Sequence, residues 1–262
     1  MKISVAVAAA AVWLAALGWA PAAAAEPLTV PGHALTPSSG PHQLGYDNST
    51  WNIPLAVFEG VTLLDQRLTT HSGTQVTCTS EGSLVCDAWM ALHPQNTTNS
   101  SFTIVAPLAR PGGLLYAAVP LLAVVAPPSS SYPTKVIIQQ YDGWADWPTL
   151  WPVNPLADAN AVAGMVFAHP NTPSTTHGTT QIGPSTYLAP TAQLPITQPL
   201  RLAGVPDSTV DQLDSVLRPV IDSAYIRTAP VIGSASPTLA TTTHKKADHP
   251  KKKKKHPGGK KK

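Results

Sequence analysis

A strand that turns into a helix within two or three residues can be built in few ways, and residues 74–93 carry that pattern. Residues 74–79 read as a short strand, and 82–93 place Leu84, Val85, Ala88, Trp89 and Leu92 on one side of a helix. Between them runs Cys78-Thr79-Ser80-Glu81-Gly82. A sharp strand-to-helix turn favours small residues where the two elements close on each other, and it exposes the side chain at its apex. Ser80 is at that apex. Taken alone, the pattern suits a helix-capping or turn serine as well as a nucleophile.

The same alternation extends along the chain. Residues 27–35 read as a strand entering a Pro/Gly loop, and 52–68 are apolar at helical spacing through Leu55, Val57, Phe58, Val61, Leu64 and Leu68. Further strands are expected at 102–106 and at 135–141, the buried run KVIIQQY. A helix over 154–168 leads to His169, and another over 208–218 should stop at Pro219. Strands alternating with helices predict an α/β fold around a central, mostly parallel sheet.

Three segments differ in character. Residues 1–25 have Lys2, an apolar stretch from 5 to 19, Pro21 and then four alanines, which predicts an export signal cleaved before Glu26. The apolar stretch is short for a membrane span of about 20 residues. Residues 114–127 are apolar but interrupted by Pro120 and Pro127, so no transmembrane span is expected after signal removal. Residues 26–232 suffice for one domain with a sizeable core. Residues 233–262, rich in Ser, Thr, Pro, Lys and His, are expected to form a disordered tail. The net charge of +3 conceals an asymmetry, because ten lysines lie in 245–262 while 26–243 holds six basic residues against 13 acidic ones. An acidic body with a basic tail argues against specific nucleic-acid binding and fits tail contact with anionic cell-envelope polymers. Cys78 and Cys86 are the only cysteines, and export would permit them to pair if their Cα atoms come within about 7 Å.

Several motifs recur in one order: the serine turn, Pro107-Leu-Ala-Arg-Pro-Gly-Gly113, Gln140-Tyr-Asp-Gly-Trp-Ala-Asp-Trp-Pro148, and Asn154-Pro-Leu-Ala-Asp-Ala-Asn-Ala-Val-Ala-Gly164 leading to His169. Together they resemble the PE-PPE domain, a mycobacterial family similar to cutinases, across residues 27–227. The resemblance implies an α/β-hydrolase-like three-layer fold and a Ser…Asp…His order, acting on acyl esters or envelope lipids as a secreted or envelope-associated esterase or lipase, or as an acyltransferase. Ser80 would be the nucleophile and His169 the base, with His177 as its rival. By offset from the strand end Asp146 is the favoured acid, and Asp142 the alternate that otherwise braces the loop. The oxyanion donors would be the N–H of Glu81 and one near Gly32 and His33, provided the Glu81 carboxylate points away. Trp144, Trp147 and Trp151 would wall an acyl cleft. No cofactor and no metal are implied. A catalytically degenerate envelope-binding protein is the reading from a different class.

Overall fold

The computed structural model describes residues 27–34, 40, 42–118 and 131–227. The expected signal, residues 119–127 of the apolar run, Leu35 and the basic tail lie outside the described residues. Six strands form one sheet: β1 (Pro27–Val30), β2 (Gln75–Thr79), β3 (Ser101–Val105), β4 (Thr134–Gln139), β5 (Thr180–Gln181) and β6 (Thr186–Ala189). Their order is β1-β2-β3-β4-β6-β5, parallel throughout except for the antiparallel β5 at the edge. Among the described residues six α-helices accompany them: α1 (Ile53–Thr70), α2 (Glu81–Leu92), α3 (Leu114–Ala118), α4 (Pro155–Phe167), α5 (Gln198–Leu202) and α6 (Asp207–Asp222). The fold is α/β, as the alternation of elements predicts.

The sheet positions the site because each crossover returns the chain in the same direction, gathering the ends of β2, β3 and β4 along one edge. One face of the sheet is apolar through Leu28, Val30, Val76, Cys78, Phe102, Ile104, Val136, Ile138 and Leu188, and these pack with Leu64, Leu68, Val85, Trp89 and Met90 of α1 and α2. The strand period of two sends Thr29, Thr77 and Thr103 to the opposite face, where they are half-buried.

Two sequence expectations shift in detail. α1 buries Ala56, Gly60, Leu64 and Leu68, while Leu55 and Phe58 of the expected apolar stripe stand exposed. Small residues at 56 and 60 let α1 lie close against α2, and that contact turns the larger side chains outward. α6 runs through Pro219 to Asp222 rather than stopping before it. Buried Ile221 anchors the added turn, and the Pro219 carbonyl accepts the Ser223 N–H at 3.2 Å.

Cys78 at the end of β2 and Cys86 on α2 form a disulfide with Cα atoms 6.4 Å apart, straddling the Ser80 turn. The closed loop is short, and loop-closure entropy puts its contribution at about 2–3 kcal/mol. Cys78→Ala is therefore expected to lower unfolding free energy by that amount in urea titrations, and reduction of the unaltered protein should reproduce the loss.

Candidate active site

Ser80 sits between β2 and α2 with φ 50° and ψ −116°, a left-handed backbone that a side chain adopts only under constraint. Its N–H donates to the Val105 carbonyl at 2.9 Å and its carbonyl accepts from Ser83 at 2.9 Å, so the turn is tied to both β3 and α2. The residues that follow β3 and β4, Ala106 and Tyr141, also have positive φ, at 50° and 65°. Three neighbouring strands thus end in strained turns at the same edge, a common trait of working sites.

Asp142 follows Tyr141 directly and is fully buried. Its Oδ1 accepts the Trp144 N–H at 3.0 Å, and its Oδ2 lies 2.7 Å from His169 Nδ1. His169 Nε2 is in turn 2.8 Å from Ser80 Oγ. His169 reaches this point because Asn154 caps α4 by accepting the Ala157 N–H, and because α4 runs close beneath the Tyr141 turn. A Cβ at Gly164 would fall 1.8 Å from the Tyr141 carbonyl oxygen, so only glycine permits that approach. The motif ending at Gly164 is therefore a packing requirement that delivers His169 to Asp142.

The favoured acid of the sequence reading is corrected here. Asp146 does not face His169; its Oδ2 accepts the Tyr141 N–H at 2.8 Å and pairs with Arg227 at 2.6 Å. The turn after β4 is tighter than an offset argument allows, since the Asp142 carbonyl already accepts from both Ala145 and Asp146. This curl sends Asp146 under the loop and leaves Asp142 at its rim. Burial pushes the Asp146 carboxyl up, and the Arg227 guanidinium opposes that rise. His177, the rival base, is exposed in a turn and is not part of this constellation.

The other named residues divide. Glu81 begins α2, so its N–H is among those without an intrahelical acceptor. Its side chain is buried, with Oε2 3.1 Å from His33 Nδ1 on the loop that runs against Ser80. The Gly32 carbonyl accepts Asn48 Nδ2 at 2.5 Å and the Pro31 carbonyl accepts the Tyr46 hydroxyl at 2.5 Å, which pins this loop. Trp147 is 8% exposed, its buried indole N–H without a hydrogen-bond partner among the described residues, and Trp151 is half exposed. Trp144 is half-buried beside Asp142. An open cavity of about 320 Å³ lined by Gln139, Ala168, Pro170, Asn171, Thr191 and Gln198 adjoins the His169 turn.

Sequence reasoning missed two ion pairs that support this edge. Arg110 forms a two-pronged pair with buried Asp87 of α2, holding the 107–113 segment against the helix. Arg227 lies against Asp146 and over the Tyr225 ring at 4.4 Å. The scarcity of basic residues in the body was the available signal, because six cations among 13 anions are apt to sit where a buried carboxylate requires them.

The PE-PPE domain model matches residues 21–226. The chain belongs to the PE-PPE domain family. Among PE-PPE relatives from Mycobacterium tuberculosis, diacyltrehalose acyltransferase Chp2 is 35% identical over 224 residues, covering 72% of this chain and 60% of its own. The PPE family protein PPE63 is 35% identical over 63% of this chain and 39% of its own, and esterase PE16 is 36% identical over 46% and 25%. The chain thus spans between about two fifths and three fifths of the first of these PE-PPE relatives. No solved structure matches. Among the described residues, no helix is long and apolar enough to cross a membrane.

Proposed function

We propose that this chain transfers acyl groups through Ser80, with His169 as the base and Asp142 as its orienting acid. The observation that carries the reading is the linear contact from Asp142 Oδ2 through the His169 ring to Ser80 Oγ, at 2.7 and 2.8 Å. With Nδ1–H donated to Asp142, Nε2 is left to accept the serine proton. Ser80 Oγ then attacks the acyl carbonyl, and the N–H at the start of α2 faces the developing oxyanion. Collapse of the tetrahedral intermediate expels the alcohol, which takes the proton from His169, and leaves Ser80 acylated. A second hydroxyl group, activated by the same histidine, then accepts the acyl chain.

That acceptor divides hydrolysis from transfer. Water makes the protein a serine esterase or lipase, and a lipid or sugar hydroxyl makes it an envelope acyltransferase. The resemblance to a relative named as a diacyltrehalose acyltransferase favours transfer, and the one to a relative named as an esterase favours hydrolysis. A fluorophosphonate is expected to add its mass to the Ser80 peptide of the purified protein; an unmodified Ser80 in folded protein refutes the reading. Product analysis of an acyl ester with and without a glycolipid acceptor then separates the two acceptors.

The basic tail belongs to this proposal as an envelope-retention segment for an exported enzyme. Binding to vesicles containing anionic lipid is expected to weaken steeply as salt rises through about 0.1–0.5 M, and truncation after residue 232 should abolish it.

A further inference from the structure

The residue beside the nucleophile presents a physical problem. A carboxylate next to a developing oxyanion opposes the charge that catalysis must create, yet Glu81 follows Ser80 directly and is 1% exposed. Its Oε2 lies 3.1 Å from His33 Nδ1, and its Oε1 is buried without a hydrogen-bond partner among the described residues. His33 belongs to the loop after β1, whose backbone runs against Ser80: a Cβ at Gly32 would lie 2.8 Å from the Ser80 Cβ. The pair therefore bridges the two segments that meet at the serine, one at the head of α2 and one at the end of β1. The bridge is clamped from outside by Trp51, whose ring centroid is 4.3 Å from that of His33.

We propose that Glu81 and His33 form a one-proton latch that bridges these two segments and keeps the residue next to Ser80 free of net charge, so that acyl transfer at Ser80 slows when the pair loses its proton. The inference rests on the acyl-transfer reading of Ser80. With one proton the pair is neutral whichever partner carries it. With none it carries a full negative charge on the residue that follows Ser80. Burial raises the Glu81 carboxyl above its ordinary value, and His33 opposes the rise, which is the behaviour of a carboxyl that resists standing charged by itself.

The other charged groups facing Glu81 leave the pair as the element that changes. Tyr46 donates to Pro31 and its phenol is pushed far above its usual range by burial and by Glu81, so it stays neutral. Asp47 lies on the same segment and is held below the ordinary carboxylate value by bonds from Ser49, so it stays charged. Glu59 of α1 is one step further out and accepts the Asp47 N–H at 3.2 Å. On the far side of Ser80, His169 and Asp142 form the contact already described.

The test is the pH profile of kcat for p-nitrophenyl butyrate hydrolysis by the full chain. The unaltered protein should show an acid limb from protonation of the base and an alkaline limb from the latch. Glu81→Gln should lose the alkaline limb and keep the acid one. Glu81→Ala should lower kcat by about tenfold with KM changed less than twofold, and glutamine should restore the rate. His33→Ala should match Glu81→Ala, and the double variant should lose no more than either, because one interaction is removed only once. An alkaline limb that is absent from the unaltered protein or survives in Glu81→Gln overturns the latch, as does full additivity. Either result leaves phosphonate labelling of Ser80 in place, whereas failure of labelling overturns the acyl-transfer reading itself.

Discussion

Ser80→Ala is expected to lower kcat by about 10⁶-fold and Asp142→Asn by about 10⁴-fold, while Asp146→Asn changes it by less than about tenfold. On the proposed mechanism the first loss follows from removing the atom that would form the acyl-enzyme, leaving only binding and backbone donors to assist water. The second is more specific. An asparagine at 142 can keep its carbonyl on the Trp144 N–H, so the turn survives, but it then presents an amide to His169 Nδ1. The ring must switch to the tautomer with hydrogen on Nε2, and Nε2 can no longer take the serine proton. Asp146→Asn touches neither step. Its amide oxygen can still accept from Tyr141, and the position is separated from His169 by the curl of the turn. Steady-state rates on p-nitrophenyl esters, with circular dichroism as a check of folding, would distinguish the two aspartates. A larger loss of kcat in Asp146→Asn than in Asp142→Asn would reverse the assignment.

How the sequence and the structure relate is clearest at these same residues. The strand-turn-helix around Ser80 is local, written in residues 74–93, and both its elements form within a few residues of their expected bounds. The run 135–141 was legible as a buried strand because a strand of a parallel sheet is covered on both faces and reads as continuous apolar sequence. His169 was reachable through the family resemblance, which places a histidine just after the helix over 154–168, and that helix ends at Phe167. The Asp142 contact was not legible by the same means. Two aspartates four residues apart in a turn differ only in how that turn curls, and the curl depends on hydrogen bonds among backbone groups and on Arg227, 81 residues away. The direction of the Glu81 side chain depended similarly on His33, 48 residues distant. Nor could spacing decide the Cys78–Cys86 bond, since a strand end and a helix turn come within 6.4 Å only once the angle between them is set. Local periodicity specified the elements, and long-range pairing of charged groups specified which polar side chains face the site.

Arg227 provides the sharpest test of that second kind of information. Arg227→Met is expected to cost about 3–5 kcal/mol in unfolding free energy at neutral pH, the usual penalty for leaving one member of a buried ion pair without the other. Its guanidinium lies 2.6 Å from the Asp146 carboxylate, and both side chains are about nine tenths buried. The other carboxylate near Arg227, Asp222 at 3.7 Å, is itself an anion and offers Asp146 no compensation. The pH dependence fixes the cause. Burial already raises the Asp146 carboxyl, and without the cation it should rise further. A carboxyl whose folded-state value lies above its unfolded value stabilises the fold below the unfolded value and loses that contribution as pH rises through the folded one. The deficit of Arg227→Met should therefore be small in acid and open as pH rises, and adding Asp146→Asn should close most of it at neutral pH. Urea titrations of the two single variants and the double variant, run from about pH 4 to pH 8, would read the effect. A deficit independent of pH would instead assign the role of Arg227 to its packing over Tyr225 and Tyr141, where its guanidinium lies 4.4 and 5.7 Å from the ring centroids. In either case the loop bearing Asp142 is anchored from beneath by a residue beyond α6, which makes the last described segment of the chain a structural support of the candidate site.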